Sequence, residues 1–358
     1  MFRNRLHKSC VRDIVTKQPT LRDIAKIAGV STSTVSRVLN DQPGIGSETR
    51  VHVLAVAQEL KFVPNAAARS LATKRTGNIG FVTYKWSVSS RFAAASLDAV
   101  GINEESQRLG YHVVSTLADQ SDMANALQLP VVRQNRVDGL VLAGPALKPS
   151  FILELYNSGL PIVLLDNALQ GTDIDCVLHE NELSTFRLTE HLIREHQHKK
   201  IVFLSGPVTW LSSRERATGY RNALAEASLE PYVIHMPTTT VETGMDAMKA
   251  ALDQAPELTA VAAVNDAVAI GAMRACKAAG ISIPGQMAVV GFDNIGWTQL
   301  HEPPLTTVHA YGEEMGRQAV RRLAELIELN PEEEHARLRL RVGTKLLIRR
   351  SCGCDAHE

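Results

Sequence analysis

No stretch of the 358 residues is apolar for long enough to cross a bilayer, so the chain is not expected to span a membrane. The first 19 residues carry Arg3, Arg5, Lys8, Arg12 and Lys17 without an apolar run, which excludes a secretory signal and reads as a basic, disordered extension. Catalytic signatures are missing too: there is no nucleophile elbow, no Gly-x-x-x-x-Gly-Lys phosphate loop and no His-Glu-x-x-His metal helix. Twelve histidines are spread without ligand spacing, and His196 and His198, two apart, would diverge on a helix. Of the five cysteines, Cys10, Cys176 and Cys276 are scattered, and Cys352-Gly353-Cys354 lacks a second cysteine pair to complete a zinc site. Reduced thiols in the cytoplasm are therefore expected, with no cofactor. Net charge is absent as well, 38 Lys/Arg against 38 Asp/Glu, but it is unevenly placed. Residues 1–78 hold 13 basic and 5 acidic side chains, and the remainder 25 and 33. A basic head on an acidic body suits a phosphate-binding module joined to something else.

What is present is concentrated between Thr20 and Asn40, T-L-R-D-I-A-K-I-A-G-V-S-T-S-T-V-S-R-V-L-N. Thr20 with Asp23 forms a carboxylate variant of the capping box, and Leu21, Ile24, Ala25 and Ala28 make one apolar stripe of a short helix. Gly29 can take the positive φ of a tight helix exit. Ser31 caps a second helix with Val35, Val38 and Leu39 inward and Thr32, Ser33, Ser36 and Arg37 outward, a face suited to the major groove of DNA. A third helix follows, with Ser47 as its cap, Glu48 in its first turn and Val53, Val56, Ala57 and Leu60 as its buried stripe. Then Pro64-Asn65-Ala66-Ala67-Ala68-Arg69-Ser70-Leu71-Ala72 predicts a helix too short to be stable alone, formed only when something holds it.

From Thr76 onward strands and helices alternate. Strands are predicted at 79–83, 112–116, 139–142, 162–166, 200–204, 260–264 and 287–292, with helices such as 93–109, 183–195 and 214–227 between them. That pattern predicts doubly wound parallel sheets, too many units for one sheet and hence two lobes. Ligands in such folds sit at the carboxyl ends of strands. Asp166, Asn265, Asp266 and Asp293 each follow a predicted strand, and Arg214 opens the helix after strand 201–204. Such groups offer the paired donors and acceptors that bind vicinal hydroxyls. Asp266 alternatively caps the helix behind it. Trp210, in the loop 207–212 beside Arg214, is expected to line the cleft.

The segment from Thr20 to Gly80 resembles the head and hinge of the lactose-repressor (LacI/GalR) family of bacterial transcription regulators. The resemblance rests on the A-G-V-S-x-x-T-V-S-R-V-L-N run, the S-x-T-R helix opening and P-N-x-x-A-x-x-L, three motifs in family order and spacing. It implies an extension at 1–19, a helix-turn-helix head at 20–63, a hinge helix and linker at 64–76, and a periplasmic-binding-protein-like body at 77–358. The first lobe would take about 77–176 and 304–335, the second about 177–303 and 336–349. The resemblance makes Arg214, Asn265, Asp293 and Asp166 effector contacts, and Phe92 stands where relatives carry an Asn-Pro-Phe-like run, here Ser90-Arg91-Phe92.

The family mechanism implies a homodimer that sets two recognition helices in successive major grooves of a pseudopalindromic operator, with paired hinge helices in the minor groove. Leu71 would then be the apolar wedge with Ala68 beside it, and Asn65 would start the hinge. Arg37 would read a guanine with Thr32 and Ser33 on neighbouring edges, and Thr20, Ser31, Ser36 and Asn40 would meet phosphates. The effector is expected to be a sugar or sugar derivative, with a nucleobase or nucleoside as the alternative. An enzyme fused to a DNA-binding head is the reading from another class. Leucine heptads that join dimers into tetramers in some relatives are absent after Arg349, so a dimer is expected.

Overall fold

In the computed structural model, residues 19–39, 42–62, 75–85, 97–329 and 336–355 are described. The chain divides into two compact units between Arg75 and Thr76.

The first unit holds α1 (Leu21–Ala28), α2 (Thr32–Leu39) and α3 (Ser47–Glu59). Its start is fixed by Asp23, whose Oδ2 accepts from the Thr20 backbone N–H at 2.8 Å and from the Thr20 hydroxyl at 2.7 Å. Its end is fixed by Gly29 at φ +68°, which lets Val30 N–H return to the Ala25 carbonyl. Ser31 Oγ accepts from Thr34 N–H at 3.1 Å, the N-cap bond that α2 needs. Ile24 and Val35 are fully buried against Val38, Val53, Val56 and Ala57. At about 1.5–3 kcal/mol for each large side chain buried, this cluster is what holds three short helices together. One detail differs from expectation. Gly46, not Ser47, is the N-cap of α3, and Ser47 sits one residue inside the helix.

The second unit begins with Thr76 and Gly77, whose backbone N–H groups both donate to the Asp138 carboxylate. It runs β1 (Asn78–Tyr84), α4 (Leu97–Arg108), β2 (His112–Ala118), α5 (Pro130–Arg133), β3 (Gly139–Ala143), α6 (Pro149–Tyr156), β4 (Ile162–Leu165) and β5 (Asp175–His179). There follow α7 (Asn181–Arg194), β6 (Ile201–Ser205), α8 (Leu211–Glu226), β7 (Tyr232–His235), α9 (Val241–Gln254), β8 (Ala260–Ala263), α10 (Asp266–Ala278), β9 (Ala288–Asp293) and β10 (Thr306–His309). The chain closes with α11 (Gly312–Glu328), β11 (Arg339–Val342) and β12 (Lys345–Leu347).

Two six-stranded sheets result, β11-β5-β4-β3-β1-β2 and β12-β10-β9-β8-β6-β7. All pairings are parallel except β10 with β12. Each lobe thus repeats one winding, with its first strand flanked by its second and third, the order that opens a crevice at the carboxyl ends of first and third strands. Strands such as β3, β4, β6 and β8 are buried at every residue, because helices cover both faces of each sheet.

The lobes exchange chain three times, and each exchange lies later than the sequence reading set it. β5 belongs wholly to the first sheet, so the first crossing is at residue 180 rather than 176. β10 belongs to the second sheet and α11 packs into the first lobe through Met315, Ala319 and Leu323, moving the second crossing from 303 to 310–311. β11 pairs with β5, moving the third from 335 to 343–344. The physical cause is that β11, R-L-R-V, is a half-exposed edge strand without an apolar run, and its pairing with β5 is long-range.

Candidate functional site

On the head, Ser31, Thr32, Ser33 and Arg37 are all exposed, as a DNA-facing surface requires, whereas Ser36 is half-buried. Arg37 spends one donor on the Pro43 carbonyl at 2.8 Å, and Arg50 another on Gln42 at 2.7 Å, so two arginines brace the α2–α3 connection. A guanidinium has five N–H donors, which leaves Arg37 able to meet a base as well. Thr20 is exposed at the start of α1. Asn40, and the hinge with Asn65, Ala68 and Leu71, lie outside the described residues, as does Phe92.

In the body the strand ends do carry the expected polar groups, and two of them match across the lobes. Asp166 follows β4 and Asp293 ends β9, the fourth strand of each lobe. Both take left-handed backbone, φ +52° and +108°. Non-glycine residues occupy that region at a cost, and it turns each carboxylate off its strand axis. Asp166 Oδ1 is buried with no hydrogen-bond partner among the described residues, and burial pushes its carboxyl up to about 7, with Arg216 pulling the other way and Asp98 and Asp293 adding to the rise. Asp98, in the first turn of α4, is likewise pushed up to about 7, first by burial and then by the charge of Asp293. Three carboxylates, two from the first lobe and one from the second, therefore feel one another across the cleft. Sequence reading missed Asp98, which sits on a helix rather than at a strand end.

The arginine that meets these carboxylates is Arg216, and Arg214 is placed elsewhere. α8 begins at Leu211, three residues before the expected start, and buries Ser212, Ser213, Arg216, Ala217 and Tyr220 on one face. Residues 214 and 216 are then about 200° apart on the helix, so only one can point inward. Arg214 is exposed and donates from Nη1 to the Val208 and Thr209 carbonyls, holding the loop that ends at the half-buried Trp210. Arg216, only 5% exposed, donates from Nε to Asn181 Oδ1 at 2.8 Å and from Nη1 to the Val264 carbonyl at 2.6 Å and Asp293 Oδ1 at 3.4 Å. Its Cζ lies 3.5 Å from the centre of the Phe292 ring, a stacked cation–π contact. The Asp293 carboxyl is raised by burial and pulled back by this guanidinium.

Behind Arg216 lies a second tier that the sequence did not announce. Asn181 Nδ2 donates to Glu215 Oε2 at 2.9 Å, and Glu215 accepts from Arg341 Nη2 at 2.6 Å. Arg341 Nη1 also reaches the His179 carbonyl at 3.2 Å. The His179 imidazole is held down at about 3 by burial and by Arg216, so it is neutral. Asn265 caps α10, its Oδ1 accepting from Val268 N–H at 3.0 Å, while its Nδ2 is 3.4 Å from the Thr239 carbonyl. Asp266 is not the cap. It is fully buried between the Thr307 hydroxyl at 2.5 Å and the Ile295 N–H at 2.9 Å, a structural role.

The chain matches two family models, "Bacterial regulatory proteins, lacI family" over residues 20–65 and "Periplasmic binding proteins and sugar binding domain of LacI family" over residues 87–349. It is 32% identical to the HTH-type transcriptional repressor PurR of Mannheimia succiniciproducens, covering 93% of this chain and 98% of that one. It is also 32% identical to the ribose operon repressor of Haemophilus influenzae, over 89% and 95%. Among solved structures, a Lac repressor dimer bound to operator and the anti-inducer ONPF superposes with a TM-score of 0.78 at 29% identity, over 94% and 99%. With both parts matched in order along its length, the chain belongs to the LacI family of bacterial regulatory proteins and is a DNA-binding transcriptional repressor.

Proposed function

We propose that the cleft senses a neutral, hydroxyl-rich small molecule, a sugar or uncharged sugar derivative, and that its binding controls operator affinity. The observation that carries this is the charge of the site: among the described residues, Asp98, Asp166 and Asp293 gather around the one guanidinium of Arg216. A site in which carboxyls outnumber the cation disfavours a phosphate, and carboxyls, whether ionised or protonated, hydrogen-bond hydroxyls well. Asp166 Oδ1, buried and without a partner among the described residues, is the acceptor a ligand hydroxyl would satisfy. Asn265 and Trp210 complete the proposed wall, and Phe92, outside the described residues, is proposed as a further ligand contact. A nucleobase is the second reading, because a carboxyl pushed up to about 7 can donate a proton to a ring nitrogen as well as accept one.

In this reading a homodimer presents two copies of α2 to successive major grooves of a pseudopalindromic operator. The segment containing Asn65, Ala68 and Leu71 enters the minor groove between them. The cleft binds its ligand without turning it over, and the protein works in the cytoplasm on nucleoid DNA. The test is a thermal-shift screen of the full chain with neutral sugars, sugar phosphates and nucleosides, followed by operator binding titrated with each hit. A neutral sugar that both stabilises the protein and changes operator affinity is the expected outcome. Stabilisation only by phosphorylated sugars would reject the charge argument.

A further inference from the structure

The C-terminal Cys352-Gly353-Cys354 finds its partners outside its own neighbourhood in sequence. His191, in the last turn of α7, and His196, just beyond that helix, converge on the two thiols, and one ligand atom from each of the four lies within 4.8 Å of all the others. His191 Nε2 is 3.5 Å from Cys352 Sγ and 3.7 Å from Cys354 Sγ, and His196 Nε2 is 3.2 Å from Cys354 Sγ. Zn–S bonds near 2.3 Å and Zn–N bonds near 2.0–2.1 Å put sulfur and nitrogen about 3.5 Å apart along the edge of a tetrahedron. The three distances straddle that edge.

We propose that these four residues form a structural zinc site that pins the C-terminal tail to α7. Two imidazoles and two thiolates are a zinc donor set, and four protein ligands leave no open position, which marks a structural rather than a catalytic centre. The surroundings fit the task. Gly353, at φ +106°, turns the tail between the cysteines so that both thiols face one side, and a Cβ there would come within 3.2 Å of His196 Nδ1. The tail is already held immediately before Cys352. Ser351 Oγ donates to the Val289 carbonyl at 2.5 Å and accepts from Thr306 N–H at 2.8 Å. Thr306 Oγ1 lies 3.1 Å from Cys352 Sγ, a hydroxyl placed to donate to a thiolate, the kind of outer contact that orients a ligand. Binding would release the two thiol protons to solvent as both sulfurs bond the cation.

The experiment uses the untagged full chain, purified under reducing conditions without chelator, and reads bound metal by elemental mass spectrometry. About one zinc per chain is expected. Cobalt reconstitution should give the strong visible bands of a tetrahedral site together with thiolate charge transfer. Cys354→Ser and His196→Gln, both at partly exposed positions, should each lower bound zinc to roughly a tenth of wild type. His198→Gln should leave it unchanged, since His198 instead meets Thr259 Oγ1 at 3.0 Å. Should Cys354→Ser fail to fold, alkylation of the wild type replaces it: zinc should shield both thiols, and a chelator should expose them together. Zinc absent from the wild type, copper or iron in its place, retention in His196→Gln, or a Cys352–Cys354 disulfide in reduced preparations would each overturn the assignment.

Discussion

Substituting Arg214 and Arg216 separately distinguishes a cleft role from a loop role, because the two lie on opposite sides of α8. Arg216→Lys keeps a positive charge near Asp293 but removes the planar fork that serves Asn181 and the Val264 carbonyl together. A hydrogen bond from a charged donor is worth about 1.5–3 kcal/mol. Losing one such bond's positioning from the effector site weakens binding roughly 10- to 150-fold, at about 1.4 kcal/mol per tenfold. Lysine is more informative than alanine here. Truncating a buried charge and stranding its partners costs about 3–5 kcal/mol, and a whole domain has only about 5–15 to lose. Arg214→Ala removes two bonds to exposed loop carbonyls that water replaces, so the effector response should stay within about threefold of wild type. The assay is fluorescence anisotropy of labelled operator titrated with the effector, comparing half-effect concentrations. If Arg214→Ala shifts the response tenfold and Arg216→Lys does not, the register of α8 is wrong.

Asp166→Asn mimics the protonated carboxyl. A carboxyl raised to about 7 when folded binds its proton more tightly than when unfolded, so its contribution to stability is present at acid pH and is lost as pH rises through 7. The variant should therefore melt close to wild type below pH 4, where the carboxyl is mostly protonated in both states, and a few degrees higher at pH 8, and equal offsets at both pH values in calorimetry would refute this. Ile24→Ala opens the fully buried centre of the head core at a cost of about 2–5 kcal/mol, so operator binding should fail while thermal stabilisation of the body by effector persists; loss of both would show that the units are not independent. On the DNA side, Arg37→Ala should relax base preference at one symmetric position per half-site, at about 1–3 kcal/mol each, and a uniform loss over all sequences would make it a phosphate contact. Leu71→Ala should weaken specific binding by about a few kcal/mol and leave nonspecific binding intact, measured against scrambled DNA; unchanged specific affinity would remove the wedge.

The sequence was most legible where structure is local. The three helices of the head follow from caps and apolar spacing within a few residues of each other, and even the glycine that ends α1 could be named. Central strands were legible too, since burial on both faces writes an unbroken apolar run. β5, β7, β10, β11 and β12 were not. β10 reads T-T-V-H, and its threonines are buried only because Arg349 and Asp266 satisfy their hydroxyls from elsewhere in the chain. In the cleft, Asp166 and Asp293 could be found at strand ends, whereas Arg216 required the true start of α8. Two arginines two residues apart in S-S-R-E-R are a warning that register decides the site. The cluster of His191, His196, Cys352 and Cys354 was illegible by spacing alone, because about 160 residues separate its halves and only the packing of the tail beside α7 unites them.

What links the cleft to the rest of the body is that the groups that would hold the ligand also hold the crossings between lobes. Arg216 grips Asp293 in the cleft and Asn181 at the first crossing. Its neighbour Glu215 grips Asn181 again and Arg341, on the strand that leads into the third crossing. His179 interacts with the Ala310 backbone at the second crossing, and the Ser184 hydroxyl meets Thr344 Oγ1 at 2.6 Å beside the third. Lobes joined by three short segments rearrange through backbone changes in a few residues at those segments. Tyr311, at φ +46°, already occupies the left-handed region at the second of them. In the proposed reading, a ligand that draws the Asp293 carboxylate toward itself would loosen its 3.4 Å hold on Arg216, whose other hydrogen bonds among the described residues go to Asn181 at the first crossing and to the Val264 carbonyl after β8. Buried polar networks have few satisfactory arrangements, because each broken bond exposes an unpaired group to low dielectric. The cleft and the crossings therefore share one set of hydrogen bonds, and in the proposed reading a rearrangement of the lobes would change the affinity of the cleft through them.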